Sequence, residues 1–253
     1  MQVRWIVVGF VFTLMFAWGG GAFAYEIAPV SDAGVVTGKV LFKGEVPPPK
    51  IFKVEKNPEV CGEADRELIE VAVNDGALGE ALVFLADVKQ GKPFTDGQKE
   101  FVATEIVAKD CRFRPFEQPS FVSVVGKGKP IHFVNKDPMK HNPHTYEVRG
   151  KVRKTLANQE LEGNSELNLV ADLQKSRIMK LECDQHNFMQ NFFYAIENPY
   201  YTLSKPDGTF AIDQVPPGTY TLVAWHPLLG LQEQQITVPA NAKVTATVKF
   251  EEE

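Results

Sequence analysis

The 253-residue chain, with 44% hydrophobic and 23% charged side chains, carries enough apolar content for one large or two modest packed domains. Its formal charge of −5 provides no basic surface to neutralise a phosphate backbone, which excludes nucleic-acid binding on charge grounds. No Ser/His/Asp signature and no glycine-rich phosphate loop occurs, so catalytic residues and a small-molecule substrate are not expected, and the chain reads as a non-enzyme.

Residues 1–24 read as an export signal. Arg4 supplies the positive start, Trp5 to Trp18 is an almost unbroken apolar run, and Ala22-Phe23-Ala24 is an A-x-A cleavage pattern before Tyr25. The alternative is an uncleaved anchor, although the run falls short of the ~20 residues a bilayer needs. Cleavage would leave a periplasmic or secreted chain starting at about Tyr25. Removing Arg4 leaves 26 basic against 32 acidic side chains, a charge of −6, which suits a basic partner.

The mature chain then alternates in the strand period. Val35 to Gly44 places Val36, Gly38, Val40 and Phe42 on one side, and Val46-Pro47-Pro48-Pro49-Lys50 forbids regular pairing and lies extended. Pro58 to Leu68 holds a turn or a short helix around Cys61. Ala81 to Ala86 is a compact apolar run, read as a buried strand. Phe101 to Ala108, Ser120 to Val125, Pro130 to Asn135, Glu166 to Leu173 and Arg177 to Glu182 follow as strands, and no segment shows a long helical period. The last fifty residues are punctuated by Lys205-Pro206-Asp207-Gly208 and Val215-Pro216-Pro217-Gly218, with strand faces at Phe210 and Ile212, at Tyr220, Leu222 and Ala224, and from Ile236 to Phe250. Short strands at this spacing predict an all-β chain built from sandwiches.

Chemistry concentrates in two stretches. Cys183-x-x-His186-x-x-Met189 offers a thiolate, an imidazole and a thioether on one tight loop between strands, and His141 is the second imidazole from a distance. Two His, one Cys and a weak axial Met form the ligand set of a blue-copper electron-transfer site. An odd cysteine count in an oxidising compartment leaves one thiol over; Cys61 and Cys111 would pair and Cys183 would be protected by copper, the bland alternative being a buried free thiol. His144 and Met139 are competing ligands beside His141, whereas His132 and His226 have no partner motif. Asn142 would tie the two ligand segments together through its side chain.

Gly128-x-x-Ile131-x-Phe133-x-Asn135-x-Asp137, then His141-Asn142, then Cys183-x-x-His186-x-x-Met189, resembles the copper-site pattern of the cupredoxins, with the short ligand loop of amicyanin except that Asn187 stands where that loop has proline. The resemblance implies a Greek-key β-sandwich over 101–198, one type 1 copper ion held by His141, Cys183, His186 and Met189, and no transformed substrate. Gly208-Thr-Phe-Ala-Ile-Asp-Gln-Val-Pro-Pro-Gly218-Thr-Tyr220 is similar to the carboxypeptidase regulatory-like, transthyretin-like β-sandwich, which implies a second small sandwich from 33–90 and 201–250, either split by the first or in tandem with it. Together they resemble periplasmic plastocyanin-like proteins labelled as methylamine-utilisation proteins. The implied function is single-electron transport, with electrons passing through an exposed edge of His186 flanked by Asn187 and Phe188 to a redox partner such as a c-type cytochrome. Alternatives are a copper-binding or storage protein using Met139 and His144 as well, and an envelope binding module with a vestigial metal site.

Overall fold

The computed structural model describes residues 25–94, 104–115 and 120–251. The export signal read at 1–24 and the first residues of the strand expected from Phe101 lie outside them. The chain is all-β and forms two sandwiches. In the first, one sheet runs in the order Arg112–Pro115, Thr104–Lys109, Pro130–Asn135, Glu166–Val170. The facing sheet runs Val122–Gly126, Gln190–Ile196, Ile178–Cys183, Pro143–Arg149, Val152–Asn158. Two parallel pairings, of Thr104–Lys109 with Pro130–Asn135 and of Val122–Gly126 with Gln190–Ile196, interrupt the antiparallel pattern.

Period-two alternation is the cause. Along Pro130–Asn135 the residues Ile131, Phe133 and Asn135 are buried and the others half-buried, as the sequence pattern requires. Ile131 and Phe133 meet Phe113, Val125, Leu169, Met179, Leu181 and Phe193 in one core cluster, which also contains Cys183 and Met189. The hairpin Pro143–Arg149 with Val152–Asn158 is absent from the sequence reading for a physical reason. Its inward positions include Thr145 and Glu147, which are buried yet polar, so no apolar alternation marks them. Glu147 is satisfied by accepting the backbone N–H groups of Lys175 and Ser176 at 2.5 and 2.7 Å.

The second sandwich draws its strands from both sides of the first in sequence. One sheet is Tyr201–Leu203, Leu82–Ala86, Gly218–His226, Gly230–Val238. The other contains Thr209–Val215, Gly34–Lys43, Ala77–Leu78 and Val73–Asn74, with Lys243–Glu251 paired in parallel to Gly34–Lys43. Gly38 is required there: a Cβ would lie 1.9 Å from the Ala246 carbonyl oxygen and 2.7 Å from the Phe210 ring. Outer faces of the two sandwiches close on each other through Leu82, Phe84, Phe121, Val122, Tyr194, Ile196, Val223 and Trp225.

Between Gly34–Lys43 and Ala77–Leu78 the chain leaves its own sandwich. Lys50–Phe52 pairs with Arg66–Leu68, and between them lies Pro58–Cys61, the one helix among the described residues. This excursion, a strap, is fastened to the first sandwich by the Cys61–Cys111 disulfide, the pairing expected from the cysteine count. No helix of the described residues is long and apolar enough to cross a membrane.

Candidate metal centre

His141 is placed by a tight connection after Pro130–Asn135. The buried Asn135 amide donates to the carbonyls of Met139 (2.8 Å), Glu162 (2.9 Å) and Leu161 (3.3 Å), while its oxygen accepts the Asp137 N–H at 3.0 Å. His141 then exchanges two backbone hydrogen bonds of 2.9 Å with Leu161. Its ring is wholly buried, with Nε2 2.7 Å from Asp137 Oδ2. Asp137 is itself held by the backbone N–H groups of Asp110 (2.7 Å) and Cys111 (3.0 Å). A carboxylate holding one ring nitrogen leaves the other, Nδ1, to face outward as a ligand, the arrangement common behind metal-bound histidines.

Cys183 ends the strand Ile178–Cys183, where the chain tightens into successive turns. His186 N–H donates to the Cys183 carbonyl (3.3 Å), Met189 N–H to that of His186 (3.0 Å), and Cys183 N–H to that of Met189 (3.1 Å). These bonds bring His186 Nδ1 to 3.8 Å from Cys183 Sγ, and His141 Nδ1 stands 3.9 Å from the same sulfur. One ligand atom from each of the three residues lies within 4.8 Å of the others, and all three residues are buried. Metal–nitrogen and metal–thiolate bonds of about 2.0 and about 2.3 Å, meeting at about 120°, separate N from S by about 3.8 Å, so the donor set fits one first-row metal ion. Met189 is also fully buried in the same cluster, which makes its thioether the remaining soft donor from this loop.

The electrostatics favour a thiolate. Burial pushes the Cys183 thiol up, but hydrogen bonds from His141, His186 and the backbone N–H groups of Asn142 and Gln185 outweigh it and bring it down to about 6. Burial lowers His141, yet Asp137 and Cys183 together raise it to about 9. The metal-free centre is therefore an imidazolium–thiolate pair near neutral pH, with the soft ligand already ionised.

Three expectations are corrected by the geometry. His186 has no exposed edge: it is 2% exposed, its Nε2 lies 3.2 Å from Asn57 Oδ1, and a ring nitrogen lies within 4.8 Å of both disulfide sulfurs. Phe188 is buried as well, so of the expected docking residues Asn187 alone is at the surface. The strap is the cause, because the disulfide holds Asn57 over the ring. The Asn142 side chain does not tie the ligand segments, since its Oδ1 has no hydrogen-bond partner; the backbone does so, with Asn142 N–H 3.4 Å from Cys183 Sγ and Asp184 N–H donating to the Asn142 carbonyl at 3.3 Å.

The remaining histidines lie elsewhere. His144 points to the opposite side of its strand, stacked on Tyr146 at 4.0 Å between ring centres and bonded to Asp184 and Thr155. His132 meets Asn168, and His226 is buried beside Phe121, with burial lowering it to about 4. Met139 is partly buried against the core cluster that contains Cys183 and Met189, its carbonyl engaged by Asn135. Asp137 and Asn57 carry roles that the sequence reading did not assign. Asp137, four residues before His141, had a local signal in that spacing; Asn57, 129 residues from His186, had none.

The Polysaccharide lyase family 4, domain II model matches residues 179–246, a span that includes the Cys183 loop and much of the stretch read as regulatory-like. No curated protein matches the chain. Among solved structures, a purple cupredoxin from Nitrosopumilus maritimus is similar at 16% identity and a TM-score of 0.29, over 37% of this chain and 99% of that one. Amicyanin from Paracoccus versutus is similar at 13% identity and a TM-score of 0.28, over 40% of this chain and 94% of its own. A copper-containing nitrite reductase from Thermus scotoductus SA-01 matches at 18% identity and a TM-score of 0.29, over 42% of this chain and 26% of that chain.

Proposed function

We propose that this chain is an exported type 1 copper protein that carries single electrons between periplasmic redox partners. The observation that supports it is the pair of Nδ1 atoms, from His141 and His186, at 3.9 and 3.8 Å from one buried thiolate sulfur. Copper at this position would supply a one-electron couple. The chain's residues would do the rest: Cys183, His141 and His186 would hold the ion, Met189 would supply the remaining soft donor, and Asp137 and Asn57 orient the two rings. A two-sheet shell and a disulfide-fastened strap hold the ligands in place, which limits rearrangement between oxidation states. All four side chains are buried, which would shield a bound ion from bulk solvent.

Because Asn57 covers the His186 ring, a partner would dock over the strap, where Lys56, Glu59, Gln185 and Asn187 are exposed. The acidic balance of the chain suits a basic partner such as a c-type cytochrome. The storage reading is weakened by the engagement of His144 with Asp184 and Thr155, which takes one of its extra ligands out of reach. Native purification followed by metal analysis, visible spectroscopy and voltammetry tests the proposal. One copper per chain with an intense thiolate charge-transfer band and a reversible couple is expected; copper without a reversible couple would transfer the assignment to storage, and no copper would refute both.

A further inference from the structure

Phe188, on the ligand loop, forms one wall of a second cavity that the metal centre does not use. The cavity has a volume of ≈ 180 Å³, room for about six waters, and is lined by Arg66, Arg112, Arg114, Glu80, Phe121 and Phe188, with Glu67 among the remaining residues. These residues arrive from the strap, the turn between Ala77–Leu78 and Leu82–Ala86, the strand Arg112–Pro115, the segment before Val122–Gly126 and the Cys183 loop. Three guanidinium groups thus share one cleft with the carboxylates of Glu67 and Glu80, and the Asp110 and Asp137 carboxylates also act on Arg66.

Two of the arginines are anchored so that donors remain free. Arg66 donates through Nη2 to the carbonyls of Cys61 and Asp110 and lies over the Phe188 ring at 5.6 Å. Arg114 donates through Nη1 to the carbonyls of Phe113 (2.8 Å) and Gln190 (3.1 Å). A guanidinium has five N–H donors, so each keeps several for a ligand. Glu80 is partly spent, since its Oε2 accepts the Phe121 N–H at 3.3 Å. The Arg112 side chain makes no hydrogen bond or ion pair among the described residues, and its charge opposes both neighbours: burial and Arg112 lower Arg66 despite Asp110 and Asp137, and burial with Arg112 takes Arg114 down to about 10 despite Glu80. A bound anion would relieve that repulsion. The planar guanidinium forks of Arg112 and Arg114 suit a carboxylate, and two phenyl rings favour one with an apolar body.

We propose that this cleft binds a small organic carboxylate, its carboxylate group held by Arg112 and Arg114 and its apolar body set against Phe121 and Phe188. Binding is independent of the metal, although the occupant shares Phe188 with the ligand loop.

Calorimetric titration of the purified full chain with benzoate and with inorganic phosphate, in low salt, tests this on both metal-free and copper-loaded protein. Saturable one-to-one binding of benzoate is expected in both, at least tenfold tighter than phosphate and weakened at least tenfold in Arg112→Ala. The Arg112 side chain is exposed and has no hydrogen-bond or ion-pair partner among the described residues, and alanine keeps the backbone pairing with Lys109, so the substitution leaves the fold intact. No saturable benzoate binding, equal affinity in Arg112→Ala, or tighter binding of phosphate would each overturn the proposal. Because the heat is read without metal as well, failure here leaves the copper assignment standing, and failure of that assignment leaves this test valid.

Discussion

Asp137→Asn separates an oriented ligand from one that is merely nearby. Three N–H groups converge on this 2%-exposed carboxylate, from Asp110, Cys111 and His141. An amide of the same shape keeps one acceptor oxygen and replaces the other with a donor, so at least one buried N–H loses its partner, at about 1–3 kcal/mol. If the new amide NH₂ faces His141, the ring must accept at Nε2, and its proton moves to Nδ1, where the metal would bind. Loss of such a supporting partner typically weakens metal affinity about 10–100-fold, or about 1.4–2.7 kcal/mol. Chelator competition should show that loss, and urea unfolding of the metal-free variant should show the lower stability. A copper affinity within twofold of the parent, with an unchanged unfolding midpoint, would refute the view that Asp137 sets the His141 tautomer.

Cys183→Ala should abolish the visible thiolate-to-copper band while circular dichroism retains the strand signature, since one small buried side chain is lost from a large core. Asn57→Ala should uncover His186 Nε2 and accelerate electron exchange with a small inorganic oxidant, measured by stopped flow; an unchanged rate would mean that the strap does not limit access. Cys61→Ala/Cys111→Ala removes a link with a sequence separation of 50, for which loop entropy gives about 4 kcal/mol of lost stability by denaturant titration, together with a more accessible His186.

The metal-free centre has a defined pH signature. The stabilisation from Cys183, pulled down to about 6, is fully present above the ordinary thiol range and is lost as pH falls through that value; that from His141, raised to about 9, is fully present below the ordinary imidazole range and is lost as pH rises through 9. The opposing slopes cancel between about pH 6.5 and about pH 8.5, so stability should form a plateau there and decline modestly on either side. Within the plateau, titration with zinc as a redox-silent probe should release about one proton, that of the His141 imidazolium. Release of none or two, read in a weakly buffered solution, would contradict the ion pair.

The candidate donor set was legible in the sequence because most of it is local. Three of the four residues sit on one seven-residue loop whose turns fix their directions, and His141 follows a strand whose alternation is plain from Ile131 to Asn135. Apolar strands such as Leu82–Ala86 were equally readable, whereas the hairpin beginning at Pro143 hid behind a buried glutamate and threonine. Strand periodicity reports only which side of a sheet a residue faces, and spacing reports only what neighbours along the chain can reach. Neither could report that a disulfide folds the strap from Lys50 to Leu68 across the His141–Cys183–His186 cluster, that Asn57 closes the His186 edge, or that Arg66, Arg112 and Arg114 converge beside Phe188. Those placements are set by contacts between residues up to 129 positions apart, whose energy exists only once both sheets are packed and the strap is fastened.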